Sequence, residues 1–187
     1  MFIQTEETPN PATLKFLPGR EVMASGVADF TSVDAAAERS PLALILFGIP
    51  GVKGVFLGSD FITVTKDDEK SWQTMKPMVL GGIMDHFTSG HAVIATGGTG
   101  AEDEEFNEGI APEIVSQIKE LIETRVRPAV AQDGGDIIYK GFKDGTVYLN
   151  MRGSCAGCPS STATLKMGIE NMLRHYVPEV LQVEAIA

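Results

Sequence analysis

The feature that most limits how this chain can fold is a break in its middle. Thr96-Gly97-Gly98-Thr99-Gly100-Ala101 runs directly into Glu102, Asp103, Glu104, Glu105 and Glu108, with no Lys or Arg among them. Glycines leave the backbone unrestrained and like charges repel, so such a stretch joins folded units and does not fill a core. The 187 residues are therefore expected to form two small domains, at residues 1–96 and 111–187, with 97–110 as the linker. A hydrophobic share of 43% and a charged share of 21% match folded proteins and exclude a wholly disordered, collagen-like or coiled-coil chain.

Charge narrows the partners. Residues 1–95 carry 7 basic and 11 acidic groups and residues 112–187 carry 8 and 9, so neither half offers the basic surface that nucleic-acid phosphates require. The longest apolar run, Leu42 to Ile49, ends at Pro50-Gly51, well short of the ~20 residues of a spanning helix, and no membrane span is expected. Met1 to Glu7 has neither the basic start of a secretory signal nor the Arg-rich character of a transit peptide. Bacterial cytoplasm is the expected address, with a processed mitochondrial or other organellar form as the second choice.

Both halves read as α+β. In the first, extended runs Phe2 to Thr5 and Thr13 to Leu17 flank Pro9-Asn10-Pro11. Ser40-Pro41 caps a short helix to Phe47, and Val52 to Leu57 and Phe61 to Thr65 are strands. Ser71 caps a helix to about Phe87 that Pro77 bends, before a last run from Ala92 to Ala95. In the second half, a helix from Pro112 is stopped or kinked at Pro128. Strands Ile137 to Phe142 and Val147 to Met151 meet at Lys143-Asp144-Gly145, a helix follows Pro159, and a strand from Leu181 closes the order α-β-β-α-β.

The only cysteines are Cys155 and Cys158, in Gly153-Ser154-Cys155-Ala156-Gly157-Cys158-Pro159-Ser160-Ser161, between a strand and a helix. A Cys-x-x-Cys pair serves redox dithiols, zinc sites and iron-sulfur sites alike; a structural disulfide fits a cytosolic chain least. A helix start beside Cys158 would favour thiolate, the ligating form. Pro159 lies outside the pair, and this domain lacks the βαβ unit on which thioredoxin-type dithiols sit. Zinc and tetranuclear clusters usually want four ligands, whereas His86, His91 and His175 read as surface or core-edge residues. Two chains about a two-fold axis would supply Cys155 and Cys158 twice.

These residues carry a family resemblance. Arg127-Pro128, Asp133-Gly134-Gly135-Asp136, the cysteine loop, and Thr164-Leu165-Lys166 with Gly168-Ile169-Glu170 resemble the C-terminal domain of NifU, the Nfu-type iron-sulfur scaffold domain. Thr8-Pro9-Asn10-Pro11, Leu14-Lys15-Phe16, Ser40-Pro41-Leu42-Ala43, Leu46-Phe47, Val55-Phe56 and Asp60-Phe61-Ile62-Thr63-Val64 resemble the separate Nfu N-terminal domain. The resemblance implies a carrier or late scaffold, not an enzyme, that holds a 4Fe-4S cluster on Cys155 and Cys158 of two chains and passes it to apo-proteins. Upstream assembly proteins and apo iron-sulfur clients are then the partners, and the cluster-loaded form is a homodimer. Ser154, Ser160, Ser161 and Thr162 would bond to sulfur or cap the helix, and Arg152 and Lys166 would balance cluster charge or stay solvated. Two rivals remain: a thiol-disulfide oxidoreductase with Cys155 as nucleophile and Cys158 as resolving thiol, and a zinc-bridged interaction module. The first domain shows no chemistry of its own and is expected to recognise client or assembly proteins.

Overall fold

Ser40 shows how tightly the first half is punctuated. It ends helix α1 (Val33–Arg39) and starts helix α2 (Pro41–Phe47), accepting from Ala43 N at 3.1 Å and donating its hydroxyl to Val93 O at 2.6 Å. The computed structural model describes residues 1–95, 105–156 and 159–186, and divides into units Met1–Ala101 and Glu102–Ala187. Each is a layer of helices on a sheet, so the α+β class with two domains holds.

In the first unit, strands β1 (Gln4–Glu7), β2 (Thr13–Leu17), β3 (Ala28–Phe30), β4 (Val52–Leu57) and β5 (Ile62–Lys66) form an antiparallel sheet in the order β1-β2-β5-β4-β3. Leu14, Phe16, Val55, Leu57, Ile62 and Val64 point from it into a core closed by Leu42 and Leu46 of α2 and by Val79 and Ile83 of α3 (Trp72–Ser89). Helix α3 starts at the Ser71 cap, runs on through Pro77 and ends at the left-handed Gly90. Helix α1 and β3 are elements beyond those the sequence predicts, and 92–95 forms no strand; Ala95 N instead bonds Arg39 O at 2.8 Å.

The second unit carries a sheet in the order β6-β7-β8-β9: β6 (Phe106–Asn107), β7 (Gly135–Lys143), β8 (Thr146–Gly153) and β9 (Gln182–Ile186). Asp144 and Gly145, both at positive φ, turn the β7-β8 hairpin. Helix α4 (Pro112–Leu121) passes into a π-helical segment, Ile122–Val126, and then into α5 (Arg127–Gln132). Pro128 neither stops nor breaks the run: it has no N–H to donate, and the widened turns before it relieve the ring's clash with the preceding turn. Ile118, Ile122, Val126 and Val130 face Ile137, Tyr139, Val147, Leu149 and Met151 of the sheet, with Ile169 and Leu173 of α6 (Pro159–Tyr176) completing the core.

The linker expected at 97–110 has its first residues, 97–104, outside the described residues. Residues 105–108 belong to the second fold: β6 pairs in parallel with β7, Glu105 meets Lys119 at 2.6 Å and Glu108 meets Lys143 at 3.3 Å. Glu105 and Glu108, which look uncompensated along the chain, are balanced by lysines that the fold brings to them. Gly141 admits the strand, because a side chain there would collide with Phe106.

Two expectations follow for the first unit. Replacing Ser40 by Ala leaves Ala43 N and Val93 O without this partner, and urea unfolding should show a loss of about 1–3 kcal/mol. His86 is buried, and neither ring nitrogen has a hydrogen-bond partner among the described residues. Burial, and then the neighbouring His91, hold its pKa below the ordinary 6.5, so the unfolded chain takes the proton more readily. This contribution to stability is complete above the unfolded value and falls as pH drops towards the folded one. Unfolding followed by Trp72 should lose midpoint from about pH 7 to about pH 5, and His86→Leu should flatten that slope; an unchanged slope would exclude His86 as the cause.

Candidate metal centre

The cysteine loop is framed from behind by the turn between α5 and β7. Gly134 takes positive φ, and its carbonyl accepts from Ser154 N at 3.2 Å, while the Ser154 hydroxyl donates to Asp133 O. Gly135 stands opposite Gly153 in the β7-β8 ladder. A Cβ on residue 135 would run into the Cys155 sulfur and stand 3.0 Å from both Arg152 O and Cys155 N. Only glycine leaves that volume to the thiol.

The frame is itself pinned. The Arg127 guanidinium donates through Nε to Asp136 Oδ1 at 2.8 Å and through Nη2 to Oδ2 at 2.9 Å, and through Nη1 to Glu123 Oε2 at 2.6 Å. Asp136 is 4% exposed, so its charge depends on this fork, and the hydrogen bonds to Asp136 hold the Arg127 pKa above its ordinary value. The pair ties the start of α5 to the start of β7, on either side of the turn behind Cys155.

Cys155 is 6% exposed. Its carbonyl accepts from the Thr162 hydroxyl at 3.1 Å, and Ala156 N donates back to Gly153 O at 3.1 Å, so the loop is anchored to α6 as well as to the end of β8. Gly157 and Cys158, and the side chains of Pro159, Ser160 and Ser161, lie outside the described residues. Ser154 and Thr162 spend their hydroxyls on backbone carbonyls, which is structural support in place of the sulfur bonding considered from sequence. Arg152 donates to Asn150 and Lys166 pairs with Glu184 at 3.2 Å.

Of the histidines, only His175 shares a unit with the cysteine loop. His86 and His91 belong to the first unit, with ring centroids 6.4 Å apart, and His86 is a core residue, contrary to the surface or core-edge expectation. His175 is exposed in the last turn of α6. Among the described residues no cluster of three or more His, Cys, Asp or Glu could hold a metal ion, and no helix is long and apolar enough to cross a membrane.

One argument against a redox dithiol falls. β9 pairs in parallel with β8, and α6 crosses between them, so the cysteine loop does lie at the strand-to-helix corner of a βαβ unit. The alternation of Leu181, Val183 and Ala185 marks a strand but carries no sign of its pairing direction. From the residues alone Gly134-Gly135 reads as a turn and Arg127 and Asp136 carry only the family resemblance; the structure adds that Gly135 makes room for the Cys155 sulfur and that Arg127 and Asp136 pin the frame.

Residues 3–90 match the family model described as scaffold protein Nfu/NifU N terminal, and residues 118–184 match that of the NifU-like domain. A human protein named NFU1 iron-sulfur cluster scaffold homolog, mitochondrial, is 52% identical over 191 residues, covering 100% of this chain and 72% of that protein. NifU-like protein 4, mitochondrial, of Arabidopsis thaliana is 52% identical, covering 98% of this chain and 65% of that protein. A solution NMR structure of a NifU-like protein from Saccharomyces cerevisiae is 28% identical, covers 51% of this chain and 86% of that one, and has a TM-score of 0.46. With both domain models matched and 52% identity across 72% of the human relative, the chain belongs to the Nfu/NifU family of iron-sulfur cluster scaffold proteins.

Proposed function

We propose that this chain carries a 4Fe-4S cluster on Cys155 and Cys158 of two copies and passes it to apo iron-sulfur proteins. The observation that supports it most is the fit at Gly135: a thiol is held against a glycine-built frame, three residues before a second cysteine and at the mouth of a helix. A family of scaffold proteins supplies the cargo. One chain has two thiolates, and a tetranuclear cluster takes about four, so the second copy completes the set. The cluster core with four thiolates has a net charge of roughly -2, which backbone N–H groups at two helix starts favour.

Such a site gives up its cargo readily. Few ligands come from each chain, and thiolates of an acceptor replace them one at a time. The first unit has no cysteine and serves to recognise clients and upstream assembly proteins. The relatives carry the word mitochondrial in their names, which supports an organellar address; they lend no support to the bacterial cytoplasm expected from the N-terminal residues.

Anaerobic reconstitution with iron and sulfide should yield about four iron and four sulfide per two chains, with dimerisation on loading. Cys155→Ser or Cys158→Ser should lose the cluster and keep the fold; full iron in either variant would overturn the assignment, and thiols that cycle while no iron is held would favour the oxidoreductase. Gly135→Ala should displace the Cys155 sulfur, lowering stability by about 1–3 kcal/mol and iron content with it. Gly168→Ala, whose added Cβ meets open space on α6, should leave iron content unchanged.

A further inference from the structure

Strand β1 is the outer strand of the first sheet. Apart from its ladder with β2, its backbone meets no hydrogen-bond partner among the described residues. Unused donors and acceptors along a strand edge are a template for another strand.

A cavity opens beside this edge on each face of the sheet. On one face, Thr5, Glu7 and Leu14 lie below Trp72 and Lys76 of α3 and bound about 590 Å³. On the other, Phe2, Gln4 and Leu17 with Arg20 and Asp60 bound about 550 Å³. The register sets the two groups apart: Thr5 stands across from Phe16, whose ring meets Trp72 edge-on at 6.4 Å, whereas Gln4 stands across from Leu17. Successive residues of a strand point to opposite faces, so a strand laid along β1 would deliver alternate side chains to the two cavities. Phe2, 79% exposed, leaves apolar surface uncovered beside the second one.

We propose that the first unit takes up an extended segment of another polypeptide as a sixth strand on β1. Apolar side chains of the segment enter both cavities, and basic side chains oppose Glu6 and Glu7. β1 has two acids and no base, so a second copy of it would set like charges opposite one another, while a basic strand pairs favourably. Glu6 already meets Lys15 at 3.4 Å, which leaves Glu7 as the acid without an ion pair among the described residues. The turn after β1 is preformed, with Asn10 N donating to Thr8 Oγ1 at 3.2 Å and Ala12 N to Asn10 Oδ1 at 3.0 Å, so docking orders little of this chain. Strand addition deepens the client-recognition role proposed above and rests on it for the partner's identity, but involves no cluster.

The test uses the full, cluster-free chain and a short synthetic peptide with two neighbouring lysines, to stand across from Glu6 and Glu7, flanked by paired valine and phenylalanine residues that reach both faces. Trp72, the only tryptophan, lines one cavity and reports binding by its emission, and amide NMR locates the site. The expected result is saturable binding, with shifts at Gln4–Glu7, that Glu7→Lys weakens roughly threefold. A peptide N-methylated on the amides facing β1 should not bind. No binding, shifts that avoid β1, or equal binding of the N-methylated peptide would overturn the proposal. A chain that binds the peptide yet never holds iron keeps this inference and loses the carrier reading, and the reverse outcome separates them the other way.

Discussion

The Cys155 sulfur occupies the volume that a side chain at residue 135 would take, and the surrounding frame follows from that one steric fact. Placing the thiol there requires β7 to begin on a glycine, the chain to turn through Asp133 and Gly134 just before it, and Ser154 to be stitched to both of their carbonyls. The Arg127-Asp136 fork then holds the two sides of the turn together, at a depth where one partner alone would leave a buried charge uncompensated. The fork costs desolvation, and it is fully satisfied: Asp136 takes two bonds and Arg127 gives a third to Glu123.

Support from two independent elements is what a cargo site needs. Cys155 is anchored through its neighbour Ser154 to the turn that leads into β7 and through its own carbonyl to α6, so its backbone is fixed before any ligand arrives. The division of labour between the units follows from where the chemistry sits. Both cysteines are in the second, whereas the first offers a sheet edge, two cavities and exposed apolar surface.

Much of this was legible in the residues. Strong punctuation marked its elements well: Ser40-Pro41, Ser71, Pro112, Asp144-Gly145 and Pro159 begin or turn elements where the side chains say they should. Helix α1 escaped notice because Val-Asp-Ala-Ala-Ala-Glu-Arg buries a single small side chain, Ala36, and shows no apolar stripe. β3 has three residues, too few for alternation to show. The Cys-x-x-Cys pair stood out as a site, but its frame did not, because Gly135 and Asp136 act across the hairpin from Cys155 and spacing along a chain carries no record of that contact.

The π-helical segment bears on the same frame through helical phase. From Ile118 the buried positions recur every four residues, at Ile122, Val126 and Val130. An ideal α-helix with roughly 3.6 residues per turn would drift about 40° at each such step and swing the later ones off the sheet. Turns closed by i to i+5 bonds are wider, and running through Ile122–Val126 they cancel much of that drift. Arg127, the next residue, inherits its azimuth from this correction, and so does its aim at Asp136. The segment therefore bears exchanges of side chain more easily than a change in its number of residues: deleting one would restore an ordinary ladder and turn the guanidinium away from its carboxylate.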